Sequence, residues 1–194
     1  MKFKALKAQL RKERLAARDA IPVGDRIEKS LIMADLASEV IEFTPGEMIS
    51  GFFPIRTEAD IRPLMHRLKG RGACLCLPVV LDKETIIFRQ ISDGMPMVET
   101  GFGTAGPGPN ANVVDPDLLL VPLSAFDATG HRIGYGAGYY DRAISRLSAK
   151  GMVPRLIGVA FDCQQVDAVP FEPHDVPLDA VLTESGLKVF AKGN

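Results

Sequence analysis

The sequence predicts an α/β fold of three layers, a mostly parallel central sheet flanked by helices. Helix-patterned stretches alternate along the chain with short apolar runs of strand length, the order that builds a layered α/β sheet. One run, Leu118-Leu119-Leu120-Val121-Pro122, is apolar at every position, as a strand buried on both faces requires. A glycine-rich turn and another helical pattern follow it directly, the strand–turn–helix order of Rossmann-like folds. At 194 residues the chain is expected to form one domain spanning 1–194.

Each element has its own signal. In residues 3–20, Phe3, Leu6, Leu10 and Leu15 recur at helical spacing among Lys, Arg and Gln, which predicts an amphipathic helix. Pro22 and Gly24 are expected to break it. Asp25 is expected to cap a second helix over about 26–42, with Ile27, Leu31, Leu36, Val40 and Ile41 on its apolar side. Pro45 and Gly46 end that helix, and Met48 to Phe53 reads as the first buried strand. Thr57-Glu58-Ala59-Asp60 fits a capping box ahead of a helix from Ile61 to Lys69. Cys74 to Val80 and Thr85 to Gln90 read as the next strands. Residues 92–112 hold Gly94, Pro96, Gly106, Pro107, Gly108 and Pro109 and read as a long ordered loop. Beyond the Leu118 strand come a helix from Tyr139 to Ala149, a strand from Leu156 to Phe161 and a strand from Ala180 to Thr183.

Composition excludes several classes of function. With 23 Lys+Arg against 24 Asp+Glu the net charge is −1, which argues against a charge-driven nucleic-acid binder. No apolar run approaches the roughly 18–20 residues of a membrane span. The basic stretch Met1 to Arg18 has no apolar segment after it, so it reads as neither signal peptide nor anchor. Three cysteines are too few for a disulfide scaffold, and a cytoplasmic location is expected. His66, His131 and His174 lack zinc-site spacing. Cys74 and Cys76 read as small residues on one face of a strand. No G-x-S-x-G elbow is present, so nothing supports a serine hydrolase.

The informative stretch runs from Leu118 to Arg142. A buried strand leads into Gly130, Gly134, Gly136 and Gly138 and then a helix. Closely spaced glycines let backbone N–H groups line a concave surface, and a helix start adds partial positive charge. The spacing matches neither G-x-x-x-x-G-K-[ST] nor G-x-G-x-x-G. On pattern alone, a phosphate cradle and a structural turn remain equally open.

Taken together, these residues resemble a known family. Asp117-Leu118-Leu119-Leu120-Val121-Pro122, then Ala125-Phe126-Asp127, then Gly130-His131-Arg132-Ile133-Gly134-Tyr135-Gly136-Ala137-Gly138-Tyr139-Tyr140-Asp141-Arg142 is similar to the signature of 5-formyltetrahydrofolate cyclo-ligases, also called methenyltetrahydrofolate synthetases. Lys7-Ala8-Gln9-Leu10-Arg11 resembles the family's N-terminal K-x3-R. The stretch from Gly51 to Asp60 resembles its F-P-x3-E segment, and His174-Asp175-Val176-Pro177-Leu178-Asp179 its closing segment. The sequence departs at two loop positions, where the family often has Arg for Tyr135 and Gly or Lys for Ala137. It also lacks the tryptophan common before the family's E-P, and reads Gly106-Pro107-Gly108-Pro109 in that region.

The resemblance implies ATP-dependent cyclisation of 5-formyltetrahydrofolate to 5,10-methenyltetrahydrofolate, with ATP and Mg2+ as cofactors. It implies a cytoplasmic monomer acting on a small-molecule folate, with or without a polyglutamate tail, and needing no nucleic acid or membrane. By the same resemblance Lys7 and Arg11 bind the ATP phosphates, together with Arg132, Gly134, Gly136, Gly138 and Tyr140. Arg132 and Tyr139 are the candidate catalytic pair. Phe53, Glu58, Tyr135, Gly136, Ala137, Gly138 and Tyr139 line the folate site, with Pro54 beside Phe53. Asp141 and Asp175 are the candidate magnesium ligands. Lys7 and Arg11, four apart, share a helix face, although Arg14 and Arg18 continue the same stripe. Two alternatives stay open: a non-catalytic folate or nucleotide binder, and a sugar-phosphate isomerase-like enzyme.

Overall fold

The computed structural model describes residues 2–100, 104–172 and 175–191. Positions 101–103 of the glycine-rich stretch and His174 lie outside the described residues. In chain order the elements begin with α1 (Lys2–Asp19), α2 (Val23–Val40), β1 (Met48–Ser50) and α3 (Arg62–Gly70). Next come β2 (Cys74–Val80), β3 (Ile86–Gln90), β4 (Met97–Glu99), β5 (Ala105–Pro107), β6 (Val113–Val114) and β7 (Leu118–Pro122). The remainder are β8 (Ala125–Phe126), β9 (Arg132–Ile133), α4 (Tyr139–Ala149), β10 (Arg155–Val159), a 3-10 turn (Asp162–Gln164), β11 (Ala180–Thr183) and β12 (Gly186–Val189).

Eight strands form one sheet in the order β12-β11-β10-β7-β1-β2-β3-β6. The five inner strands β11, β10, β7, β1 and β2 are parallel, and β12, β3 and β6 pair antiparallel. The expected mostly parallel sheet is therefore present. Along β7 the apolar run divides by strand alternation. Leu118 and Leu120 face the core under α2 and α3, while Leu119 and Val121 face the core under α4. That division is why every position of the run is apolar, and it gives the three layers.

The two N-terminal helices bury only part of the faces their apolar spacing suggests: Leu10 and Leu15 are half-buried and Ile41 is buried, but the rest of those faces is not. Phe3 and Leu6 of α1 are exposed, whereas Arg18 is 2% exposed. On α2, Ile27, Leu31, Leu36 and Val40 are all exposed. The face that packs is Ser30, Met33, Ala34, Ala37 and Ser38, because small side chains let α2 lie close to α3 and the sheet. Pro22, expected to break structure, is the cap residue of α2, Gly24 lies inside the helix, and Asp25 sits in its first turn instead of capping it. The dipole favours an acid there.

The capping box is not formed. Ile61 precedes α3 with no side-chain cap, and Thr57 accepts instead from Arg18 Nε at 3.0 Å while its own hydroxyl donates to Asp19. Asp60 takes the N–H of Arg62 at 3.0 Å. The stretch 92–112 is less of a loop than expected, since β4 and β5 pair as a hairpin within it. β12 has half-exposed or exposed side chains throughout and left no apolar signal.

Ala37 is fully buried and Leu36 beside it is 43% exposed. Ala37→Leu is expected to cost about 1–3 kcal/mol by overpacking, and Leu36→Ala less than about 0.5 kcal/mol. Urea unfolding of both variants measures the contrast, and equal losses would refute this account of α2.

Candidate active site

The five parallel strands end at the same edge of the sheet. From β1 the chain crosses through α3 to β2, and from β7 it crosses through α4, on the opposite face, to β10. Neighbouring strands that send their connections to opposite faces leave a crevice at their carboxyl ends. A cavity of about 650 Å³ lies there, lined from β1's outgoing loop by Phe52, Phe53 and Glu58, and from β7 by Val121 and Pro122. The stretch from His131 to Asp141, the inner face of α1, parts of β2, β3 and β5, and Asp175 with Val176 complete its wall.

α1 covers this end instead of flanking the sheet, because its inward face is a stripe of cations anchored one by one. Lys7 Nζ meets Asp175 Oδ2 at 2.5 Å and Glu172 at 3.7 Å. Arg11 Nε donates to the Gly134 carbonyl at 2.7 Å. Arg14 donates to the Cys163 carbonyl at 3.2 Å. Arg18 donates to Thr57 Oγ1 at 3.0 Å and to Tyr135 Oη at 2.5 Å.

The glycine turn needs glycine at two of its positions for distinct reasons. Gly136 has φ +99°, and a Cβ there would sit 3.5 Å from the Arg11 guanidinium. Gly138 caps α4 in the left-handed conformation at φ +68°, and a Cβ would come within 2.8 Å of Arg142 Nη1. Both conformations are strained for an L side chain. Gly134 has neither constraint and contributes its carbonyl. Ala137 is not left-handed, and its carbonyl accepts from Arg142 Nη2 at 2.7 Å. Arg142 also donates to the Glu84 carbonyl at 2.6 Å and lies over the Tyr139 ring at 5.4 Å. Tyr139 Oη donates to the Asp82 carbonyl at 3.1 Å. These bonds tie the turn to the β2–β3 hairpin.

Two polar clusters share the cavity. In the first, Arg132 is buried and pairs with Asp141 Oδ1 at 2.5 Å while also donating to the Val176 carbonyl. Burial lowers the Arg132 pKa, opposed by Asp141, Asp175 and Tyr140. In the second, burial raises the Glu58 carboxyl above its ordinary value, against the Tyr135 hydroxyl, the Ile55 N–H and the charges of Arg18 and Arg56. Glu58 Oε2 accepts from the Ile55 N–H at 2.8 Å. Its Oε1 is buried and, although it faces the Tyr135 hydroxyl, makes no hydrogen bond of full geometry; Tyr140 Oη is likewise buried without a partner among the described residues. Unpaired buried polar atoms are costly, and both belong to residues of the cavity wall. Arg56, in the same loop, has φ +53°, a left-handed backbone rare for a residue with a side chain.

Residues 3–184 match the profile of the 5-formyltetrahydrofolate cyclo-ligase family. The chain belongs to that family. It is 34% identical to the 5-formyltetrahydrofolate cyclo-ligase of Haemophilus influenzae over 152 residues, 75% of this chain and 80% of the relative. Against the Mycolicibacterium smegmatis protein of the same name the figures are 31% over 186 residues, 91% of this chain and 93% of the relative. The NMR structure of Aquifex aeolicus 5,10-methenyltetrahydrofolate synthetase superposes with a TM-score of 0.82 at 28% identity, covering 97% of this chain and 95% of the other.

The cyclo-ligase residues expected from sequence gather in one place. Lys7, Arg11, Phe53, Glu58, Arg132, Gly134, Tyr135, Gly136, Ala137, Gly138, Tyr139, Tyr140, Asp141 and Asp175 all line the cavity, and Pro54 does not. Arg18 and Arg142 went unassigned at the sequence level. Arg142 had a signal, lying four residues beyond Gly138 at the end of the glycine motif, whereas Arg18 looked like the solvated end of a basic stripe. Among the described residues no three His, Cys, Asp or Glu side chains form a metal-holding group, and no helix is long and apolar enough to cross a membrane. Cys76 is buried, with its thiol pushed up to about 12 by desolvation, as expected of a core residue.

Glu58 in the folded protein keeps its proton to a higher pH than in the unfolded chain. The stability this contributes is present below the ordinary carboxylate range and is lost as pH rises through the folded value. Glu58→Gln, neutral at every pH, is therefore expected to melt higher than the parent at pH 7 and level with it near pH 3.5. A lower Tm at pH 7 would contradict the electrostatics described here.

Proposed function

We propose that this protein converts 5-formyltetrahydrofolate to 5,10-methenyltetrahydrofolate at the expense of ATP, releasing ADP and phosphate. The observation that carries the reading is the pairing of two chemistries in one cavity. A basic cluster of Lys7, Arg11 and Arg132 stands at the glycine turn, and a buried oxygen of Glu58, facing Tyr135, makes no hydrogen bond to a described residue. A nucleotide polyphosphate suits the first, and the N–H groups that a pterin ring presents along one edge suit the second.

The formyl oxygen is amide-like and a poor leaving group. Transfer of the γ-phosphoryl group to that oxygen makes it one. N10 then attacks the formyl carbon, a C–N bond forms, the C–O bond breaks, and phosphate departs with the oxygen. N10 gives up its proton as the ring closes. Catalysis of this kind rests on alignment and on stabilising charge over the moving phosphoryl group. Lys7, Arg11 and Arg132 take phosphate oxygens, and the N–H groups at the start of α4 add to them. Arg132 and Tyr139, both on the cavity wall, are assigned to act on the transferring group. Tyr135, Ala137, Tyr139 and Phe53 enclose the folate, whose pterin edge binds Glu58, and Tyr140 serves the nucleotide.

Asp141 and Asp175 fit magnesium of the nucleotide-borne kind, which takes one or two protein carboxylates and completes its shell with phosphate and water oxygens. Bound there, it neutralises phosphate charge and fixes the reacting phosphate. Lys7 and Arg132 exchange Asp175 and Asp141 for phosphate oxygens as the nucleotide enters.

Absorbance in the methenyl-folate band, followed with 5-formyltetrahydrofolate and magnesium, is expected to rise only when ATP is present. Asp141→Asn is expected to slow that rise by about 10²-fold or more. No rise in the parent protein, with nucleotide binding still measurable by calorimetry, would replace this reading with that of a non-catalytic binder.

A further inference from the structure

We propose that Arg18 is a positioning residue for the substrate end of the cavity: it orients the Glu58 carboxylate through the Tyr135 hydroxyl. The inference rests on the folate reading of Glu58 given above.

Arg18 is 2% exposed and is among the largest fully buried side chains of the protein. A buried cation is expensive unless paired, yet among the described residues no carboxylate forms an ion pair with it. Its partners are two hydroxyls, Thr57 Oγ1 at 3.0 Å and Tyr135 Oη at 2.5 Å, and its guanidinium lies 5.7 Å from the centre of the Tyr135 ring. A leucine would attach α1 equally well if packing were the only requirement. A phenol that accepts from a guanidinium keeps its own proton to donate, and the acceptor it faces is the buried Glu58 Oε1, which has no hydrogen-bond partner of its own among the described residues.

The surroundings of Glu58 leave this role to one residue. Arg18 reaches it from α1, with Asp19 behind Thr57. Arg56 comes from its own loop, Tyr135 from the glycine turn and Tyr140 from α4. Arg56 is exposed and screened by water. Burial raises both the Glu58 carboxyl and the Tyr135 phenol, and Arg18 acts against both shifts. Without that charge the carboxyl holds a proton to higher pH and offers an O–H where the ligand needs an acceptor.

The test uses the full chain as Arg18→Met, Arg18→Lys, Tyr135→Phe and the Arg18→Met/Tyr135→Phe double variant. KM is measured for 5-formyltetrahydrofolate and for ATP separately, with the pH profile of kcat/KM for the folate. Either single loss is expected to raise the folate KM about tenfold and leave the ATP KM within about twofold. In Arg18→Met the acid limb of the profile moves to higher pH, Arg18→Lys restores it in part, and the double variant is no worse than Arg18→Met. Equal losses for both substrates, or an unmoved acid limb, overturn the proposal and leave Arg18 a tether for α1. Should Arg18→Met fail to fold, Tyr135→Phe carries the same KM comparison. The Glu58 carboxyl is also titrated directly by 13C NMR. Its titration moves up in Arg18→Met whether or not the protein turns over folate, so an inactive parent protein refutes the folate reading alone and an unmoved titration refutes the relay alone.

Discussion

Four cations on the inner face of α1 each bind a different part of the chain, and together they fasten that helix over the cavity end of the sheet. Lys7 holds the segment at Asp175, Arg11 the glycine turn at Gly134, Arg14 the 3-10 turn at Cys163, and Arg18 the loop at Thr57 together with Tyr135. The sheet and its two cores need none of these bonds. The cavity walls, loops from separate strands, are drawn together by these bonds and by those of Arg132, Tyr139 and Arg142. Two of the α1 cations, Lys7 and Arg11, also line the cavity, so part of what holds α1 in place is part of the cavity wall.

The site also follows from how the sheet is wound. α3 lies on one face and α4 on the other, so the loops leaving β1 and β7 diverge and leave space between them. Gly138 then starts α4 in a left-handed conformation that turns the helix N-terminus toward that space, while Arg142 fixes the approach by holding the Ala137 and Glu84 carbonyls. Rigidity in a glycine-rich turn comes here from side chains outside it.

What was legible in the sequence divides along physical lines. β2, β7, β11 and α4 carried strong local patterns, and their places follow from those patterns. The residues gathered round the cavity were legible through their motif, since Gly136 and Gly138 occupy backbone conformations that glycine tolerates best. The buried faces of α1 and α2 were legible only in part. A helix normally buries its larger apolar side chains, but α2 turns Ser30, Ala34 and Ala37 inward because close approach to α3 matters more than apolar area there. Arg18 was misleading for a related reason: it ends a stripe of cations along α1 and its partners are distant in sequence, so nothing local distinguishes it from a surface residue. Thr57 shows the same limit, since its capping signal was genuine and a distant guanidinium took its hydroxyl instead.

The ties of α1 span 39 residues to Thr57, 123 to Gly134, 149 to Cys163 and 168 to Asp175. During synthesis α1 emerges long before most of its partners, and a ribosome adding roughly 5–20 residues per second leaves it waiting for several seconds. A partly made chain can already pack β1, β2 and α3, yet its first helix has no place to dock. The last of these ties closes only when the 175 segment reaches Lys7, so the wall that α1 contributes to the cavity is completed near the end of synthesis.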